Sequence, residues 1–465
     1  MLQKFRQRYI GDRAFYRMML AIAIPLIIQQ GITNLVSLLD NLMVGALGEM
    51  PLSGVSIMNQ LLMVFNLTLF GGLSAASIYG AQFYGVGDWK GMRDTFRFRL
   101  MFGVGATAIA AVVFSLWGDK LSLLFLQNEN NSPAVIAETM EYAMDYLRIS
   151  LWGLPFFMLA QTYAGMLRET GQTVHPMIAS VMAILTNLVL NYCFIYGKFG
   201  FPELGTAGAA LATVIARVLE AVYVTVYTHL HANDYPFIIG AYRSLRIPAD
   251  LCRRIIVTGT PLLLNESLWA VGMAAISGNY AYRGLEVIAA SNIASTAWNL
   301  FCVMMFAMGS VTAIIVGREL GAGNIEGARD VDRKLLFFTV TAHCLIGVVV
   351  LITAPLIPQM YDVADSVRMI AADMLRIQAV VLPVHAYVHV AYFTLRSGGK
   401  TFITFLFDCV YTCVVPVSVS FILCRLTHLD IVLCYALVQT TDLLKMFIAI
   451  PLLASGCWAK NIIGK

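Results

Sequence analysis

Along the chain, long apolar runs alternate with short stretches rich in charge, glycine and proline. Crossing about 30 Å of hydrocarbon takes roughly 20 apolar residues at 1.5 Å of helix each. Runs of that length recur over 15–43, 51–80, 95–117, 138–165, 174–196, 206–229, 255–280, 286–316, 335–357, 371–394, 402–424 and 430–455. They predict an all-α polytopic membrane protein with twelve transmembrane helices. The connections are too short for a large extramembrane domain.

Polar positions enter the runs with helical spacing. In the first, Gln30, Thr33, Asn34, Ser37 and Asn41 fall within an arc of about 100°, and Asp40 lies about 20° beyond its edge. Such a stripe must face protein or water, because lipid offers no hydrogen bonds. In the fifth run Asn187 and Asn191 share one helix face, with Ser180 two turns away.

Composition agrees with this reading: 59% of the 465 residues are hydrophobic and only 12% charged, against about 25% charged in soluble domains. Mean hydropathy is +0.75. A net charge of +4 could speak for an anionic partner, but the basic residues are scattered among loops. Nucleic acid is therefore not expected as a partner, and the lipid bilayer is. An even number of spans puts both termini on one side. Lys and Arg gather in the loops of that side, which makes it the cytoplasm of a bacterial or archaeal inner membrane. Lys4, Arg6, Arg8, Arg13 and Arg17 precede the first run without a cleavage motif, as an uncleaved first span would have it. The nine cysteines lie mostly inside apolar runs and form no CxxC pair, as small core residues would.

The chain also repeats itself. GVGDWKGMRD (85–94) resembles GAGNIEGARD (321–330), 236 residues on, and the same shift carries Pro25 onto Pro261 and Gly48 onto Gly284. DYLRIS (145–150) matches DMLRIQ (373–378) at a shift of 228, which also pairs Pro155 with Pro383. Constant shifts predict two parallel six-helix bundles: an N-terminal lobe over 1–228, a linker over 229–254 and a C-terminal lobe over 255–465.

Ionisable side chains at membrane depth cost about 2.5–3.5 kcal/mol each on insertion scales, so those inside the runs are functional candidates. Asp40, Glu266 and Asp408 stand out. Arg217 with Glu220, and Asp442 with Lys445, are spaced to satisfy one another along a helix. Arg148 and Arg376 occupy matching repeat positions and are expected to snorkel or to pair. Asn187 and Asn191 could hold a cation or hydrogen-bond Asp40. Under the 236-residue shift Glu266 falls on Gln30, and Ile276 on Asp40, so the lobes carry their acids at different places. A carboxylate in a dry cavity is drawn toward its neutral form and can capture and release a proton. Pro25 and Pro261 each remove a backbone hydrogen bond and permit a hinge in the first and seventh spans. His385 and His389 sit four residues apart, but no third ligand accompanies them and no bound metal is expected.

These motifs together resemble the multidrug and toxic compound extrusion (MATE) family, in its prokaryotic, DinF-like branch, over nearly the whole chain. The residues that carry the resemblance are IAIPLIIQQ…LLDNLMVGALG (22–48), GAQFYGVGDWKG (80–91), LRETGQTVHP (167–176), GTPLLLNES (259–267), VGRELGAGNIEGA (316–328), LRSGGKT (395–401) and SGCWAKNI (455–462). The resemblance implies two six-helix bundles around a V-shaped cleft that rock between inward- and outward-facing states. It places a cation or proton site at Asp40, Asn187 and Asn191, with Gln161 and Thr206 as further members. Asn191 stands where some members have Asp, and no acid occupies the middle of span ten, so the C-lobe candidates are Glu266 and Asp408.

The function expected is antiport: export of small, amphipathic organic cations in exchange for H+ or Na+, with no cofactor beyond that coupling ion. Transient Na+ binding is expected, if anywhere, at Asp40, Asn187 and Asn191, in a monomer. A flippase for lipid-linked precursors should have a cationic cleft rather than intramembrane acids. An integral-membrane enzyme is disfavoured because HExxH and GxSxG are missing.

Overall fold

The computed structural model describes residues 2–126 and 132–464. A short helix α1 (Leu2–Tyr9) precedes α2 (Arg13–Gly45), α3 (Glu49–Gly85) and α4 (Trp89–Leu126). The fourth expected span is divided by a 3-10 turn at Leu151–Gly153 into α5 (Pro133–Ser150) and α6 (Leu154–Glu169). Then come α7 (Val174–Tyr196), α8 (Gly205–Leu230) and α9 (Ala249–Ala281). The eighth span is also broken, into α10 (Leu285–Phe301) and α11 (Val303–Gly321), and is followed by α12 (Ile325–Thr353) and α13 (Asp365–Ser397). The eleventh comprises α14 (Thr401–Phe405), a π-helical turn at Leu406–Val410, α15 (Tyr411–Val414) and α16 (Pro416–Leu426); α17 (Ile431–Ala454) closes the order. Among the described residues, 10 helices are long and apolar enough to cross a membrane on length and composition alone.

Local chemistry sets the ends. Asp12 accepts from the Phe15 amide at 2.7 Å before α2, and Asn324 accepts from the Gly327 amide at 3.0 Å before α12. Each satisfies a helix-start donor that would otherwise lack a partner. The repeat appears in the turns. Gly48 and Gly284 have φ of 119° and 121°, and Gly87 and Gly323 have 73° and 76°. These values strain any residue with a Cβ, which is why glycine recurs at the same offset.

The helices form two compact units, Met1–Ile27 with Ala81–Asp88 and Arg254–Lys465, and Ile28–Gly80 with Trp89–Arg253. Helix α2 thus gives its first half to one unit and its second to the other, the change falling just after Pro25. In the first unit Phe15, Met19 and Ile22 of α2 pack in one buried cluster with Val311, Leu335, Leu395 and Trp458. The ends of α3 and α11 meet there reciprocally. A Cβ on Gly85 would lie 2.1 Å from the Arg318 carbonyl oxygen, and one on Gly321 would lie 2.0 Å from that of Gln82. Residues 82 and 85 are the repeat partners of 318 and 321, so the same close contact is made twice. Buried Gln82 also ties down the C-terminal segment, donating to the Ser397 and Lys460 carbonyls at 3.0 and 3.3 Å and accepting from the Ile462 amide at 2.9 Å. In the second unit the core gathers Met58, Phe65, Leu69, Leu147 and Met158.

Helix α12 begins ten residues before the apolar run that predicted it at 335–357. The added turns carry charge (IEGARDVDRK), which a hydropathy reading treats as loop. One of those charges, Asp332, is buried and accepts from Thr394 Oγ1 at 2.5 Å.

Candidate functional site

Helices α2, α7 and α8 bring the polar positions of the second unit to one place. Asp40, half-buried near the end of α2, accepts from Asn191 Nδ2 at 2.6 Å. Asn187, one turn earlier on α7, turns its amide nitrogen toward both Asp40 oxygens at 3.1 Å. Its carbonyl then accepts from Thr213 Oγ1 of α8, also at 3.1 Å. That orientation follows from its partners, since it gives every polar atom of the carboxamide a complement. Asn187 and Asn191 are 7% and 2% exposed, so the donors that hold the carboxylate are themselves buried. The Asn191 Oδ1 is buried and lacks a hydrogen-bond partner among the described residues. The Asp40 carboxylate thus takes its hydrogen bonds from neutral carboxamides.

The other N-lobe candidates stand apart from that carboxylate. Thr206 is buried in the first turn of α8 and Gln161 is half-buried on α6. Neither donates to Asp40 among the described residues. Tyr146 of α5, which the sequence did not single out, lies close enough to feel the Asp40 charge and donates to Asn59 Oδ1 at 3.2 Å.

In the first unit two acids meet basic partners on other helices. Asp408 sits in the π-helical turn, where Lys445 Nζ of α17 donates to Oδ1 at 2.6 Å and Asn265 Nδ2 of α9 to Oδ2 at 3.1 Å. The expected Asp442–Lys445 pair along α17 is not made. Lys445 crosses to Asp408, and Asp442 pairs with His385 Nδ1 at 2.6 Å. His385 is thus engaged by an acid, while His389 lies against the Phe306 and Phe393 rings. Glu266 is half-buried and interacts electrostatically with Arg396 and Asp408. Arg217 does pair with Glu220, at 3.0 Å. Arg148 and Arg376 make matching ion pairs with Asp145 and Asp373 along their own helices. Pro25 and Pro261 lie inside α2 and α9, and both helices continue through them.

The MatE family model matches residues 25–193 and 261–422. The two matched stretches begin at Pro25 and Pro261, the spacing of the internal repeat. A probable multidrug resistance protein NorM from Thermotoga maritima is 25% identical over 342 residues, covering 73% of this chain and 71% of that protein. The multidrug resistance protein MdtK of Edwardsiella ictaluri is 25% identical over 387 residues, covering 77% and 81%. Among solved structures, an outward-facing multidrug resistance MATE family transporter of the MOP superfamily superposes with a TM-score of 0.85. It has 18% identity and covers 97% of each chain. Its likeness establishes the fold: twelve membrane helices in two bundles.

Proposed function

Because the chain belongs to the MatE family of membrane transporters, we propose that it is a secondary active antiporter, exporting small amphipathic organic cations against H+ or Na+ by alternating access of its two lobes. The lobes are 1–228 and 255–465, joined by 229–254, in a monomer of the bacterial or archaeal inner membrane with both termini in the cytoplasm. The observation that carries the reading is the Asp40 cluster: an intramembrane carboxylate whose hydrogen bonds come from the neutral carboxamides Asn187 and Asn191. Asp408, by contrast, is neutralised by the buried Lys445. A carboxylate held by amides can take up a proton, or share a sodium ion with the Asn191 carbonyl.

Coupling then follows from differential affinity. With Asp40 ionised the site favours the organic cation; with Asp40 protonated or sodium-bound, that attraction is gone and the cation leaves. Rearrangement is assigned to α2, which passes from one compact unit to the other just after Pro25. One positive charge moving inward releases about 2.3 kcal/mol per 100 mV and one cation moving outward costs the same, so in a one-for-one exchange the concentration gradient of the coupling ion drives export.

The test is efflux of a fluorescent organic cation from proteoliposomes under an imposed pH gradient or an imposed sodium gradient, applied separately. At least one gradient should drive efflux above the passive leak. If neither does so for any of a panel of cationic dyes, antiport of cations is rejected.

A further inference from the structure

A second acid lies within the Asp40 unit and has no part in the mechanism above. Glu220 of α8 is 4% exposed and accepts from Ser180 Oγ of α7 at 2.6 Å and from Arg217 Nη1 at 3.0 Å. Ser180 in turn accepts from Gln29 Nε2 of α2 at 2.7 Å, and Gln29 Oε1 accepts from Arg168 Nη2 of α6 at 3.3 Å. The charged groups facing Glu220 are therefore Arg217 from its own helix and Arg168 from α6, whose charge acts on it and on Arg99. Arg99 forms a buried ion pair with Glu169.

The Asp40 cluster lies two turns further along the same pair of helices. Asn187 meets Thr213, and Ser180 meets Glu220. Each step is seven residues, backward on α7 and forward on α8, or two turns and about 10 Å along two antiparallel helices. The outcome is a polar seam where an apolar interface would pack as well. Arg217 sits between the ends, one turn after Thr213, paired with Glu220 while its charge also acts on Asp40. Stability does not call for such a seam, since replacing buried ion pairs with apolar residues is often neutral or stabilising.

We propose that Glu220 is the inner proton station of the transporter, receiving along this seam the proton that Asp40 takes up and releasing it toward the cytoplasm. The inference rests on the antiport reading with H+ as the coupling ion. The O–H bond of protonated Asp40 breaks, the proton passes through solvent water in the seam, and a new O–H bond forms on a Glu220 oxygen. Arg217 then neutralises the Asp40 carboxylate instead of the Glu220 carboxylate. Two carboxylates, one guanidinium and one proton sum to zero charge before and after, so no net charge is stranded during the transfer. Protonated Glu220 next loses its proton to cytoplasmic water at the Arg168 end, and the Arg217–Glu220 pair reforms.

The experiment compares wild type, Glu220→Gln, Glu220→Asp and Ser180→Ala in proteoliposomes, reading pH-gradient-driven dye efflux and the pH profile of that efflux, with thermal melting as the folding control. Glu220→Gln keeps the side chain's size, and the Arg217 it leaves is 39% exposed and open to hydration, so the variant should still insert and melt cooperatively, yet lose gradient-driven efflux by about 100-fold or more, the scale of one general acid–base group. Glu220→Asp should restore most of the rate with an altered pH profile. Ser180→Ala should slow efflux about 2- to 10-fold, the scale of one hydrogen bond. Wild-type efflux and pH profile in Glu220→Gln overturn the relay, as does an equal loss in Gln and Asp variants that tracks lowered melting. If Asp40→Asn fails while Glu220→Gln pumps normally, the relay alone falls; if Asp40→Asn also pumps normally, the antiport reading falls with it.

Discussion

Asn191 Nδ2 donates to Asp40 Oδ1 at 2.6 Å, the shortest hydrogen bond in the cluster. A hydrogen bond to a charged group is worth about 1.5–3 kcal/mol, or roughly 10- to 100-fold in an equilibrium. Asn191→Ala should therefore reduce coupled efflux by that factor while the protein still inserts and folds. Efflux rates normalised to the reconstituted protein check it.

The Asp408–Lys445 pair should behave as structure. Removing one member of a buried pair leaves an uncompensated charge, at about 3–5 kcal/mol. Lys445→Met alone should lower the melting temperature substantially, and adding Asp408→Leu should recover most of the loss. Melting of the two single variants and the double variant in detergent gives the coupling directly.

Reciprocal glycine contacts make a matched prediction. Gly85→Ala and Gly321→Ala each push a Cβ to about 2 Å from a backbone oxygen, and overpacking of this kind costs roughly 1–3 kcal/mol. The two should lower melting by similar amounts, because each repeats the other's contact. Gly105→Ala, whose Cβ meets nothing within 4 Å, should leave melting unchanged.

Much of this was legible in the sequence, for identifiable reasons. The twelve runs mark the spans because lipid demands apolar length, and the repeat shows in Gly48 and Gly284 because only glycine takes their backbone angle cheaply. Asp40, Asn187 and Asn191 could be paired from helical spacing in two runs. What escaped depended on contacts between helices. Lys445 reaching Asp408 rather than Asp442 follows from how α17 faces the π-helical turn, which no spacing rule encodes. Gln29, absent from the polar stripe, hydrogen-bonds Ser180 and Arg168. The breaks at Leu151–Gly153 and Cys302 lie within continuous apolar runs and leave no hydropathy mark.

If an exchangeable proton or ion on Asp40 couples the two fluxes, as proposed, counterflow must depend on that carboxylate. The direct measurement is substrate-driven proton movement: proteoliposomes loaded with a pH-sensitive dye receive an organic cation, and proton flux is followed for wild type and Asp40→Asn, with a sodium-sensitive dye in parallel. Wild type should move protons or sodium counter to the cation, and Asp40→Asn, inserted and melting normally, should move neither. Counterflow of equal size through Asp40→Asn would contradict this coupling.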